Sequence, residues 1–274
     1  MTVPNGSTPQ PPPKLPDYEH LTLDLADAVL TVTLDRPEVL NAINGRMHHE
    51  LTELMEWLGS AGGIRAVVLT GHGRGFSAGG DARWFESATP AEVEALFDEG
   101  APLIRNLLAA RMPIVAAVNG PAVGLGATIA LCCDVVFAAE SAVFADPHVR
   151  MGVVAGDGGA MIWPALVGMS RAKEYLLTGD KVPAVEAERI GLVNHVVPDA
   201  EVVERAHAFA VRLAEGPALA ISGTKEALNA LVLRSADIVL EKGLELERAT
   251  MRSNDHREAV TAFAAGRPPE FTGT

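Results

Sequence analysis

Asn119-Gly-Pro-Ala-Val-Gly-Leu-Gly-Ala-Thr128 is the stretch that decides how this chain folds. It follows an apolar run, Pro113-Ile-Val-Ala-Ala-Val118, which reads as a short buried strand. It leads into residues 127–133, whose small and apolar side chains suit a helix packed on that strand. Between strand and helix lie Gly120, Gly124 and Gly126. Such a turn lets backbone come close to a ligand, and the helix beyond it presents free N–H groups. Two ligands suit it: a phosphate, or a carbonyl oxygen that becomes negative during reaction. No Gly-Lys-Ser/Thr follows, and the glycine spacing is not that of a dinucleotide fingerprint, which weakens the phosphate reading. The same glycines would also serve tight helix-on-strand packing.

A second glycine-rich turn lies upstream. The near-continuous apolar run Arg65-Ala-Val-Val-Leu-Thr70 reads as a strand buried on both faces. It opens into Gly71-His-Gly-Arg-Gly-Phe-Ser-Ala-Gly-Gly80-Asp81, with five glycines in its first ten residues. Surface loops rarely need so many; a backbone that presses against something does. Asp81 reads as a brace for this turn or a cap for the helix after it.

Working outward, Leu21–Leu25 and Val29–Leu34 alternate branched apolar and polar residues about Ala26-Asp27-Ala28, a hairpin signal. Asn44 to Leu58 carries Met47, Leu51, Leu54 and Leu58 on one helical face. Thr89, Pro90 and Glu92 form a capping box at the head of a long helix reaching Arg111. Short strands are expected at 134–137, 142–144 and 193–197, and helices at 159–167, 171–177 and 185–190. From Asp199 the pattern is helical, with breaks expected near Gly216-Pro217, Ser235 and Ser253-Asn254. Strand–helix alternation implies parallel pairing with right-handed crossovers, an α/β fold. The domain reading is a disordered, Pro-rich arm over 1–16, a core over 17–198 and a helical region over 199–274.

Composition bounds the partners. A formal net charge of −13 argues against nucleic acid or an anionic membrane surface. No run is long and apolar enough to span a membrane, and the first sixteen residues carry no signal-peptide pattern, so a cytoplasmic protein is expected. Cys132 and Cys133, the only cysteines, have no partners at metal spacing and read as small core residues; no metal is expected.

The two glycine turns together resemble the crotonase, or enoyl-CoA hydratase/isomerase, superfamily. The matching pieces are Leu34-Asp-Arg-Pro-Glu-Val-Leu-Asn-Ala-Ile43, Val68 through Asp81, and Pro113 through Gly126, with Cys133-Asp134 and Arg267-Pro-Pro-Glu-Phe-Thr-Gly273 also in order. The resemblance implies a spiral of repeated β-β-α units, a C-terminal helical trimerisation region, and a homotrimer or dimer of trimers. It implies an acyl-CoA thioester as substrate and no separate cofactor. It assigns the N–H groups of Gly80 and Leu125 to the thioester oxygen, and sets Ala42, Gly79, Asp81, Gly124 and Thr128 along the substrate and CoA cleft. Arg36, Arg74 and Lys225 are conceivable contacts for the CoA phosphates, although each is equally an ordinary surface charge.

The departure is at the acids. The two glutamates that hydratases of the common type use fall on Thr128 and His148, so the standard two-glutamate reading does not transfer. His148 and Asp157 remain as proton-moving candidates: an imidazole titrates near neutrality, and an aspartate can orient it or act on substrate. Alternatively Asp157 caps the following helix, His148 is a turn residue, and Thr128 only packs. The pattern His148…Gly156-Asp157-Gly158…Trp163-Pro164 also resembles oxocamphor hydrolase, a C–C hydrolase of the superfamily that cleaves a diketone without CoA. That enzyme has a further histidine in its oxyanion turn, where this chain has Leu125 and Gly126, which weakens the hydrolase reading beside enoyl-CoA hydration or isomerisation; the missing glutamates also leave open a non-catalytic relative that binds acyl-CoA. His48, His49 and His72 read as surface residues, and Trp84 and Phe85 as core residues or the wall of an acyl pocket.

Overall fold

The computed structural model describes residues 13–274, so most of the Pro-rich arm placed at 1–16 lies outside the described residues. A six-stranded sheet forms the centre, in the order β1 (Leu21–Ala26), β2 (Val29–Leu34), β3 (Ala66–Gly71), β4 (Ile114–Val118), β6 (Val135–Ala139) and β9 (His195–Val197). β1 and β2 pair antiparallel; every later neighbour is parallel. The hairpin turns on Asp27 and Ala28, at φ 51° and 61°, the positive dihedrals a two-residue turn needs to match strand twist. All residues of β3 and β4 are buried, as parallel strands covered on both faces should be.

A second sheet of three short strands, β5 (Ala122–Val123), β7 (Val143–Ala145) and β8 (Val182–Pro183), stands beside the first. Two-residue strands carry no readable periodicity, which is why the sequence shows neither β5 nor β8.

The helices are α1 (Gly45–Ser60), α2 (Ala82–Ser87), α3 (Pro90–Ala109), α4 (Leu125–Leu131), α5 (Gly159–Thr178), α6 (Ala184–Arg189), α7 (Val202–Ala214), α8 (Ala218–Thr250) and α9 (Asn254–Ala264). The Thr89–Glu92 capping box is formed at α3. α5 is two helical pieces joined at Gly168, where φ is 80°, close to the two helices expected there.

One expectation changes. Ser235 does not break α8, which runs unbroken from Ala218 to Thr250. A mid-helix serine costs only a few tenths of a kcal/mol, and the buried stripe Ala236, Leu240, Gly243, Glu247 holds the segment in place. α7 buries Val202, Ala206, Ala210 and Ala214 in the same apolar core as the sheet, so the helical region after 198 begins as part of the core layer. Among the described residues no helix is long and apolar enough to cross a membrane.

Candidate active site

The two glycine turns lie side by side. Ser77 donates its N–H to Pro121 O at 3.1 Å and receives the Val123 N–H at 2.9 Å. On the other edge, Ile43 N–H donates to Gly79 O at 2.7 Å and Asp81 N–H donates to Ile43 O at 3.0 Å. The Gly79 carbonyl is committed to Ile43, and across a trans peptide the Gly80 N–H points the opposite way, away from Ile43. The approach is close: a Cβ on Gly79 would sit 2.5 Å from Val123 O and 3.6 Å from Gly124 Cα. Leu125 is the first residue of α4, and its cap Gly124 (φ 52°) offers no side-chain partner. Neither the Gly80 nor the Leu125 N–H donates to any group among the described residues. Ala42 is buried beside this turn, and its carbonyl accepts from Arg36 Nη1 at 2.5 Å.

Asp81 caps α2, accepting from the Arg83 and Trp84 N–H groups, and pairs with Arg36 at 2.9 Å. Both suggested roles, brace and cap, are thus combined in one carboxylate. α2 then lays Phe85 against Gly80, with a ring carbon 3.0 Å from where a Cβ would be, and Trp84 against Gly45. Both aromatic rings are half-buried at this wall.

A polar cluster abuts the second turn. His148 Cε1 lies 3.5 Å from the Cβ that Gly124 lacks. His148 Nδ1 is hydrogen-bonded to Asp146 Oδ1, while Nε2 lies 3.5 Å from Asp157 and 3.8 Å from Glu247. Asp157 Oδ1 accepts from Thr128 Oγ1 at 3.1 Å and, more loosely, from Gly159 N at 3.4 Å. Thr128, in a position where hydratases of the common type carry a glutamate, is fully buried with its hydroxyl committed to Asp157. Glu247 reaches the cluster because Gly243 of α8 and Gly156 meet backbone to backbone, and a Cβ on Gly243 would be 2.8 Å from Gly156 O.

Burial disfavours charge on His148, but the carboxylates of Asp146, Asp157 and Glu247 outweigh it and hold the imidazole pKa well above its ordinary value. Burial lifts the Asp157 carboxyl despite the opposing pull of His148. Burial, with Asp157 and Asp146 adding to it, pushes Glu247 up to about 8. The Glu247 carboxyl therefore keeps its proton at neutral pH, and its neighbours bias the imidazole toward the protonated form. Asp146, His148 and Asp157 also bring donor atoms within 4.8 Å of one another, a spacing that could hold a cation, although Asp146 Oδ1 and His148 Nδ1 are spent on each other.

Sequence reasoning named His148, Asp157 and Thr128, and the structure brings all three together. It missed Asp146 and Glu247. The signal for Glu247 is a charge on the buried stripe of a long amphipathic helix, and only the stripe's true register reveals it. Three other expectations are corrected. Lys225 cannot meet a CoA phosphate, because it is buried, paired with Asp134 at 2.8 Å and bonded to Met112 O at 3.0 Å. Arg36 is occupied by Asp81 and Ala42, leaving Arg74 the exposed one of the three cations. His48 is buried against Glu99, whereas His49 and His72 are exposed as expected.

A sheet-centred α/β core with two facing glycine turns and an adjoining proton-holding cluster defines an enzyme of the crotonase class. Residues 24–274 match the family model described as enoyl-CoA hydratase/isomerase, and the chain belongs to that family. A probable enoyl-CoA hydratase of Rhodobacter capsulatus is 38% identical over 93% of this chain and 99% of its own. The crystal structure of an enoyl-CoA hydratase/isomerase from Mycobacterium paratuberculosis superposes with a TM-score of 0.86 at 38% identity, covering 89% of this chain and 99% of that one. A β-diketone hydrolase from the cyanobacterium Anabaena, solved with (S)-3-oxocyclohexyl acetic acid, is 31% identical, with a TM-score of 0.79 over 85% of this chain and 94% of that one.

Proposed function

We propose that this chain acts on an acyl-CoA thioester, hydrating or isomerising an enoyl chain through an enolate held by the main-chain N–H groups of Gly80 and Leu125. The observation that carries the reading is the placement of His148 against Gly124, its Nε2 turned toward Asp157 and Glu247. Two preorganised donors aimed at the oxygen that gains charge lower the barrier by about 3 kcal/mol each. That makes an α-proton removable and the β-carbon open to water. The Asp157 carboxylate, steadied by Thr128, takes a proton; the His148 imidazolium delivers one to the enolate carbon. The acyl chain runs along Ala42, Gly79 and Gly124, with Phe85 and Trp84 as its wall.

The test is the loss of conjugated-thioester absorbance when an enoyl-CoA is added. His148→Ala is expected to lower that rate about 100-fold or more; an unchanged rate rejects the role. Assembly as a homotrimer or dimer of trimers is part of the same reading. It is supported by the large exposed apolar side chains Leu219, Leu228, Leu231 and Ile238 along α8, and a monomer in sedimentation would contradict it.

A second reading is favoured by the likeness to the β-diketone hydrolase and by the loss of Lys225 and Arg36 as phosphate contacts. Here water adds to one carbonyl of a cyclic β-diketone, the C–C bond breaks, and the enolate carbon left behind takes the proton from His148. Calorimetry separates the two, since the hydrolase would bind neither free CoA nor an acyl-CoA.

A further inference from the structure

We propose that Asp146 is the positioning residue of this site: its carboxylate takes the Nδ1–H of His148, so that Nε2 is the ring atom that gives and receives protons. The inference rests on the reading of His148 as a proton-moving group and adds what makes it one.

Four observations carry it. Asp146 follows β7 directly, and β7 pairs with β5 through Ala122↔Phe144 and Val123↔Ala145, continued by the Gly124 N–H donating to Ala145 O at 2.9 Å. One short ladder thus ties the oxyanion turn to Asp146, and Asp146 ties it to the ring. The carboxylate is 1% exposed, and its Oδ1 is spent on His148, on the ring Nδ1 and, at 3.5 Å, the backbone N–H. Its Oδ2 has no partner among the described residues and lies against Gly159, where a Cβ would collide with it. The chain's structural carboxylates behave differently. Glu50 accepts from the N–H groups of Glu19 and His20 and from Arg46, and Asp134 accepts from Ile114 N and pairs with Lys225. A buried carboxylate that spends its bonds on one histidine fixes that ring's rotation and tautomer.

The groups facing the ring come from three elements: Asp146 beyond β7, Asp157 in the loop before α5, and Glu247 on α8. Asp157 and Glu247 lie on the Nε2 side, at 3.5 Å and 3.8 Å. Among the described residues Asp146 is the one partner of Nδ1, so the direction of proton exchange depends on it.

Nitrogen-15 NMR of the full chain without substrate tests this directly. In the wild type, His148 is expected to keep its Nδ1 proton and lose the Nε2 proton, with a midpoint well above 6.5. Asp146→Asn is expected to lower that midpoint by about 1–3 pH units and to destroy the single tautomer. It should also lower kcat about 10- to 100-fold with KM little changed. Gly159→Ala, which displaces the carboxylate without removing it, is expected to move the midpoint in the same direction. If the ring titrates on Nδ1 in the wild type, or its midpoint is unmoved in Asp146→Asn, the proposal is overturned whatever the rates. If the ring behaves as stated but turnover is untouched, the hold of Asp146 on the ring stands and the catalytic reading of His148 falls. The wild-type measurement needs no variant, so a variant that fails to fold leaves the test intact.

Discussion

At the scale of single residues, the site depends on places where no side chain fits. Gly79 has φ 83° and its missing Cβ points at Val123 O. Gly79→Ala must therefore adopt a left-handed backbone and push the two turns apart, costing about 1–3 kcal/mol in urea unfolding and displacing the Gly80 N–H. The expected outcome is loss of turnover in a chain that still folds; full activity would show that the spacing of the turns does not matter. The density of glycines in residues 71–80 was readable as a sign of such pressure. What they press against was not, because the neighbour comes from residues 121–124.

At the scale of elements, α8 matters more than its distance along the chain suggests. Its stripe Ala236, Leu240, Gly243, Glu247 faces inward, and the Gly243–Gly156 backbone contact brings the helix down onto the loop that carries Asp157. Gly156→Ala would place a Cβ against Gly243 O and C and against Glu247 Cβ, lifting that part of α8. Overpacking of this kind costs about 1–3 kcal/mol. Denaturant unfolding should show that loss, and turnover should fall with it as Glu247 leaves the cluster. The sequence marks this region as helical, yet it suggests a break at Ser235. A weak local signal of that kind loses to a buried stripe, and without the stripe's register Glu247 cannot be told from a solvated charge.

At the scale of the whole molecule, the cluster links stability to pH. His148, Asp157 and Glu247 all hold protons more tightly folded than unfolded, so the folded state binds more protons and stability falls as pH rises. The Glu247 share is present below its unfolded value near 4.5 and is lost as pH climbs to about 8. The His148 share is full below 6.5 and lost as pH passes its raised midpoint. Glu247→Gln is expected to flatten the decline in unfolding free energy between about pH 5 and pH 8, read as a smaller change in urea midpoint across that range. An unchanged slope would mean that Glu247 is not buried with its proton.

The chain by itself determined the local parts: the hairpin about Asp27 and Ala28, the capping box at Thr89 and Glu92, the buried parallel strands, and two turns too rich in glycine for ordinary loops. These are signals that neighbours in sequence generate among themselves, through dihedral preference, side-chain period and motif spacing. Tertiary structure alone decided that Asp146 grips the ring of His148, that Glu247 arrives from a helix about a hundred residues away, and that Lys225 is buried on Asp134. Those facts concern which charges share one small volume of low dielectric. Such sharing follows from how strands and helices pack, and no local pattern in the chain encodes it.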